Sequence, residues 1–260
     1  MDNGCSTTCI STTLSDLKEV IAYHGWGFDS ACWCDWQTRF EQQGWRFKAF
    51  DRGYWRHPST PTFDESARIK LLLVHSYGLH LCPDEQLQQA DMIAIFSSFA
   101  TFHPILQPRK RRSQKILQQM IEQFKVNPRP VLAQFRMRCY APCPWQATYS
   151  DDFDSDRLLH DLTRLHNAEI DLTALQKIPQ ILILRGAQDH IVASASSDEL
   201  VSKLLFNGLQ DQTTGRNAIF EAAGHALPFT HFEECWSKLW TYLEVGNLEH
   251  GNNHEQGSAI

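Results

Sequence analysis

Six stretches of the chain carry apolar residues in runs or alternation rather than at helical spacing. They lie at residues 19–27 (EVIAYHGWG), 45–53 (WRFKAFDRG), 68–76 (RIKLLLVHS), 91–99 (DMIAIFSSF), 179–189 (PQILILRGAQD) and 217–225 (NAIFEAAGH). The third run is apolar without interruption, as strands buried on both faces of a parallel sheet are. Between some of these runs the spacing changes to a helical one, at 29–43 and 194–205. Near the end, HFEECWSKLWTYLE places Phe232, Trp236, Leu239, Trp240 and Leu243 on one helical face. Strands alternating with helices predict an α/β protein with a mostly parallel central sheet covered on both faces.

Residues 102–171 break that rhythm. They show helical patterns at 107–124, 128–137 and 152–166, with CYAPCPW between the last two and no strand. They read as a helical lid inserted between two strands. The expected organisation is a core of residues 1–101 and 172–245, a lid at 102–171, and a polar, Gly- and Asn-rich tail at 246–260 that predicts disorder. A length of 260 residues, 42% of them hydrophobic, suits one domain with a large insertion. No apolar run reaches the 18 residues of a membrane-spanning helix. The first twenty residues have neither a basic segment nor an apolar one of the signal-peptide kind, so a cytoplasmic setting is expected. The eight cysteines do not have zinc-ribbon spacing and are expected to be reduced packing residues, with no metal site.

Charge changes the picture in one place. The net charge is −6, too modest and of the wrong sign for a nucleic-acid binder. Yet residues 104–150 carry nine Lys and Arg against a single acid, Glu122. That segment is +8, which leaves −14 on the remainder. Arg109, Lys110, Arg111, Arg112, Arg136 and Arg138 of the lid are therefore candidates for contact with an acidic partner.

The candidate chemistry lies just beyond strand ends. A buried strand runs directly into Ser76 in VHSYG, and Gly78 follows it. This is the sequence of a sharp strand-to-helix turn that exposes a serine hydroxyl. A serine capping the next helix would give the same letters. Asp189 follows the strand ILILRG, and His225 follows NAIFE. Each alone could be a turn residue or a satisfied loop histidine. Together they stand in the order Ser, Asp, His, each at the carboxyl end of a predicted parallel strand, where open α/β sheets place their ligands. HGWG (residues 24–27) supplies a further element. An oxyanion hole needs two N–H donors, and the backbone of Tyr77, after the serine, and of Trp26 are in place to provide them. His24 is expected to be structural.

HGWG, VHSYG, RGAQDHIV and AGHALPFTH together resemble the α/β-hydrolase superfamily. More narrowly, HGWG, GHALPFTH and the basic lid are similar to the pimeloyl-acyl-carrier-protein methyl ester esterases of biotin synthesis. The resemblance spans residues 20–243, the lid matching only in kind. It implies an α/β-hydrolase fold and a cofactor-independent serine esterase. Ser76 would be its nucleophile, His225 its base, Asp189 its orienting acid, and Trp26 and Tyr77 its oxyanion donors. It also implies an acidic partner, acyl carrier protein bearing a methyl-ester acyl chain, met by lid arginines.

The sequence departs from the family pattern at Val74, which stands where the elbow ordinarily has its first glycine. Residues 51–67 are Pro-rich with little room for a helix, and Pro83 curtails the helix after the elbow. An N-terminal hairpin found in many relatives is not predicted. Extra room for Val74 is expected from the two shortened segments. Three alternatives stay open: a general carboxylesterase or thioesterase, an acyltransferase with the same triad, and a non-catalytic binding protein of this fold.

Overall fold

The structure, a computed structural model, describes residues 17–145, 150, 152–205 and 216–251. Each of the six apolar runs forms a strand: β1 (Lys18–Tyr23), β2 (Arg46–Ala49), β3 (Ile69–His75), β4 (Met92–Phe96), β5 (Gln180–Gly186) and β6 (Asn217–Phe220). They make one sheet in the order β2-β1-β3-β4-β5-β6, every pair parallel. The register aligns Ile21 with Leu72, Leu72 with Ile93 and Ile93 with Ile181, so bulky apolar residues cross the sheet in rows. The order turns back on itself beside β1, where the chain leaves first for β2 and then for β3. Such a reversal opens a crevice at the carboxyl ends of the strands.

Ten α-helices flank and extend the sheet: α1 (Cys34–Gln42), α2 (Gly78–Leu81), α3 (Asp84–Gln89), α4 (Arg109–Val126), α5 (Pro128–Tyr140), α6 (Ser155–Arg164), α7 (Leu172–Leu175), α8 (Ser194–Leu205), α9 (Leu227–Thr230) and α10 (Phe232–Gly251), counted among the described residues. Alternation within the strands sends side chains to two cores. Ile21, Leu72, Val74, Ile93, Ile95 and Ile183 meet Leu79, Leu87, Leu175 and Leu200 on one face. Val20, Ala22, Leu71, Leu73, Ala94 and Leu184 meet Trp36, Phe40, Trp236 and Leu239 on the other. Helix α10 runs past the core boundary expected at 245, remaining helical to Gly251. A glycine such as Gly246 costs a helix only about 1 kcal/mol, less than the docking of Trp236, Leu239 and Leu243 contributes. The remainder of the expected tail, residues 252–260, lies outside the described residues.

The insertion between β4 and β5 carries α4, α5 and α6. Its two ends are tied together: Thr101 bridges Glu169, and the Ile170 N–H donates to the Ala100 carbonyl at 3.2 Å. Its apolar side, with Leu117, Ile121, Phe124, Leu132, Leu158 and Leu162, packs over Trp26, Tyr77, Phe99 and Val192 at the strand ends. No helix among the described residues is long and apolar enough to cross a membrane.

Val74 is wholly buried in the first core, not turned to solvent. Residues 52–67 contain no helix, and α2 ends after four residues because Cys82 turns extended before Pro83. Those shortened segments contribute Phe63, Leu79 and Cys82 to the cluster that holds Val74. Restoring the usual residue removes three packed carbons from a filled core. Val74→Gly is therefore expected to lower unfolding free energy by about 2–4 kcal/mol. Urea denaturation measures this, and an unchanged midpoint would contradict the packing.

Candidate active site

Ser76 follows directly on β3 and has φ of 56°, the left-handed region that a residue with a Cβ rarely occupies. Both sides of its peptide are held by the neighbouring strand end. Its N–H donates to the Phe96 carbonyl at 2.9 Å, and the Ser98 hydroxyl donates to its carbonyl at 2.7 Å. Helix α2 starts two residues on at Gly78, where a Cβ would run into the backbone oxygens of Tyr23 and His24. Glycine is required there by close approach to β1. On the far side, Gly25 lies against the Ser76 side chain, so the HGWG turn abuts the elbow.

The other two strand-end residues meet Ser76. His225 Nε2 lies 2.9 Å from Ser76 Oγ, and its Nδ1 lies 2.7 Å from Asp189 Oδ2. The second oxygen of Asp189 accepts the N–H groups of Ile191 and Val192, at 2.8 and 2.9 Å. A carboxylate held at both oxygens presents one fixed acceptor to Nδ1. That places the imidazole proton on Nδ1 and leaves Nε2 free to accept from the serine. The chain of contacts can draw a proton from the Ser76 hydroxyl while His225 gains charge beside Asp189. His225 is fully buried and Ser76 is 7% exposed.

Trp26 and Tyr77 flank this group, one in the turn after β1 and one after the serine. Among the described residues, no group accepts the backbone N–H of either. The Trp26 indole points into the lid, donating to the Leu158 carbonyl at 2.8 Å and meeting Phe135 edge-on at 4.7 Å. His24 takes a structural part. Its Nε2 accepts the Arg52 N–H at 3.1 Å, so its Nδ1 carries the proton given to the Gly25 carbonyl at 2.9 Å. Burial holds it below its ordinary pKa, which keeps that tautomer neutral. Among the described residues no His, Cys, Asp or Glu group is arranged to hold a metal ion.

The basic lid divides. Arg109, Arg111, Arg112 and Arg138 are exposed and Lys110 is half-buried. Arg136, expected on the partner-facing surface, is 2% exposed. It shares a helical face with Leu132 and Cys139, which turn inward, and the turn after β1 offers it a carbonyl acceptor: its Nε donates to the Gly27 carbonyl at 2.9 Å.

Three further residues escape a reading of the sequence alone. His75, wholly buried, directs Nε2 at the His225 carbonyl at 3.0 Å and so holds the backbone of His225. Ser98 holds that of the serine. Asp161, fully buried on α6, takes a two-pronged contact from Arg52 at 2.7 and 2.9 Å and a hydroxyl from Tyr54 at 2.8 Å. This ties the lid to the loop after β2. An acid among Leu158, Leu162 and Leu165 is the one signal that marks it in the sequence, since a charge on an apolar stripe needs a partner.

No family model and no curated protein matches the sequence. Solved structures match over most of their length. An esterase from Exiguobacterium antarcticum superposes with a TM-score of 0.69 at 16% identity, covering 88% of this chain and 93% of its own. The chain has the α/β-hydrolase fold. Similar to it also are a bromoperoxidase from Bacillus anthracis (TM-score 0.64, 16% identity, 88% and 93% covered) and an enol-lactonase from Burkholderia xenovorans (0.62, 12%, 88% and 92%). In this α/β-hydrolase fold, Ser76, Asp189 and His225 follow the third, fifth and sixth strands of the sheet.

Three histidines are held below their ordinary pKa. Burial, then the charge of His225, holds His75 well below its ordinary value. Burial takes His80, which donates to the Phe99 carbonyl at 3.1 Å, down to about 4. Burial and the charges of His166 and Lys110 do the same to His103, to about 4. Each binds a proton less readily folded than unfolded. Stability is therefore complete above the unfolded value of 6.5 and is lost as pH falls from there towards about 4. Urea midpoints are expected to drop between pH 7.5 and 4.5, and His80→Gln to make the drop shallower. A slope that His80→Gln leaves unaltered would contradict this.

Proposed function

We propose that this protein is a serine ester hydrolase that works through an acyl-enzyme. The observation that carries the proposal is the hydrogen-bonded chain from Ser76 through His225 to Asp189 at a positive-φ elbow. His225 Nε2 takes the proton as Ser76 Oγ attacks the ester carbonyl. Asp189 holds the imidazole tautomer and stabilises its charge. The N–H groups of Trp26 and Tyr77 receive the oxyanion, each donor contributing about 3–4 kcal/mol to the transition state. His225 returns the proton to the leaving alkoxide, and water, activated by the same imidazole, releases the acid. Ser76→Ala is expected to abolish ester hydrolysis and fluorophosphonate labelling with an unchanged unfolding midpoint. Turnover at the wild-type rate by Ser76→Ala would overturn the assignment.

The proposed substrate is a methyl-ester acyl chain, pimeloyl in length, borne on acyl carrier protein, with methanol as the leaving group. Two features support it. The lid roof over the serine is apolar, which suits an acyl chain. Arg109, Arg111, Arg112 and Arg138 are exposed where an acidic carrier could dock. The structural likeness to an esterase favours a second reading, a hydrolase of small free esters. The two separate on one variant. Arg111→Glu with Arg112→Glu is expected to lower kcat/KM for the carrier-borne ester by about tenfold or more, while p-nitrophenyl butyrate turnover holds. Equal rates on both substrates would leave the small-ester reading.

A further inference from the structure

Through α5 the lid makes two polar contacts to the backbone of the catalytic centre. Arg136 Nε donates to the Gly27 carbonyl at 2.9 Å. The Cys139 carbonyl accepts the N–H of Ala226, the residue after His225, at 2.8 Å. The first contact bears on the oxyanion turn. That turn is closed by a 3.3 Å bond from the Phe28 N–H to the Gly25 carbonyl, with Gly27 at φ of 72°. A single long bond closes the turn weakly, and a glycine at its third position leaves the backbone many other conformations. His24 Nδ1 also donates to the Gly25 carbonyl at 2.9 Å, and Arg136 adds a restraint at the other end of the turn, charge-assisted and therefore stronger. The guanidinium is itself fixed, stacked 4.5 Å from the Trp55 ring centre and 5.6 Å from that of Phe28. Phe135, its neighbour, packs on Gly27 and on the Trp26 indole.

We propose that α5 is a working part of the catalytic centre, and that Arg136 is a positioning residue that holds the Gly25–Phe28 turn so that the Trp26 N–H faces the oxyanion. The lid then does more than cover the serine. Its docking completes the oxyanion hole and braces the loop of the base, so that the competent geometry exists only with α5 seated.

The inference rests on the serine-hydrolase reading, and the test separates the two. Wild-type protein is first assayed with p-nitrophenyl butyrate and a fluorophosphonate. If it shows neither turnover nor labelling, it is the hydrolase reading that fails. With active wild type, Arg136→Gln is expected to lower kcat by about 10- to 100-fold, the scale of a small misplacement at a reacting centre, with KM changed by no more than about threefold. An alkyl trifluoromethyl ketone adds the Ser76 hydroxyl across its carbonyl and presents an oxyanion to the same turn. Its inhibition constant is expected to rise in step with the loss of kcat/KM. A residue that merely stabilised the fold would lower the melting temperature and leave both unchanged. Arg136→Lys keeps charge and length without the Nε–H, and carries the same comparison should Arg136→Gln not fold. Gln134→Ala, exposed on the same helix, serves as the unchanged control. Either folded Arg136 variant with wild-type kcat and ketone affinity overturns the proposal.

Discussion

The backbone of Ser76 is the constraint on which the site depends. An L-residue at φ of 56° relaxes unless its surroundings over-determine it. Here they do so from three sides. Strand β4 and the Ser98 hydroxyl hold its peptide on one edge. The backbone of β1 crosses so closely that only glycine fits at 78. Beneath it, β3 is buried on both faces and cannot shift without disturbing two cores. The strain lifts the hydroxyl above the sheet edge, within reach of His225. Val74 belongs to this arrangement, since it fills with side-chain volume a space that the short flanking segments leave beside the elbow.

The largely apolar seam between lid and core carries two buried polar ties. Asp161 with Arg52 and Tyr54 closes one side. Arg136 with the Gly27 carbonyl closes another. Buried ion pairs contribute little net stability once their desolvation is counted. Their value is geometric, because an apolar lid face could slide over apolar strand ends, whereas each of these groups is satisfied in one position only. Such ties set where the lid sits against the turn at Gly27 and the loop of His225.

Solved structures at 12–16% identity share the fold while their names span an esterase, a bromoperoxidase and an enol-lactonase. The same scaffold thus hosts different chemistries, and function has to be argued from the site. On that scaffold this chain carries a lid with an apolar underside, a line of exposed bases and an inward arginine.

Much of the core was legible in the chain itself. Continuous apolar runs such as KLLLV are a local signal; each formed a strand, and three of them have Ser76, Asp189 or His225 placed beyond their ends. Pro83 marked the break after α2 for an equally local reason, the lack of an N–H. The short helices α2, α3, α7 and α9 carry too few residues to show a period. Which way a charged lid residue faces was not legible either. Arg109 and Arg136 read alike as letters in a basic stretch, yet one meets water and the other a carbonyl more than a hundred residues away. Likewise His75 and Ser98 read as strand-end residues until the sheet brings His225 and Ser76 against them. Periodicity depends on neighbours along the chain, so the sequence determined the strands and the three strand-end residues. The partner of a buried polar group depends on what packing delivers to it, so only the tertiary structure decided the roles of Arg136, Asp161, His75 and Ser98.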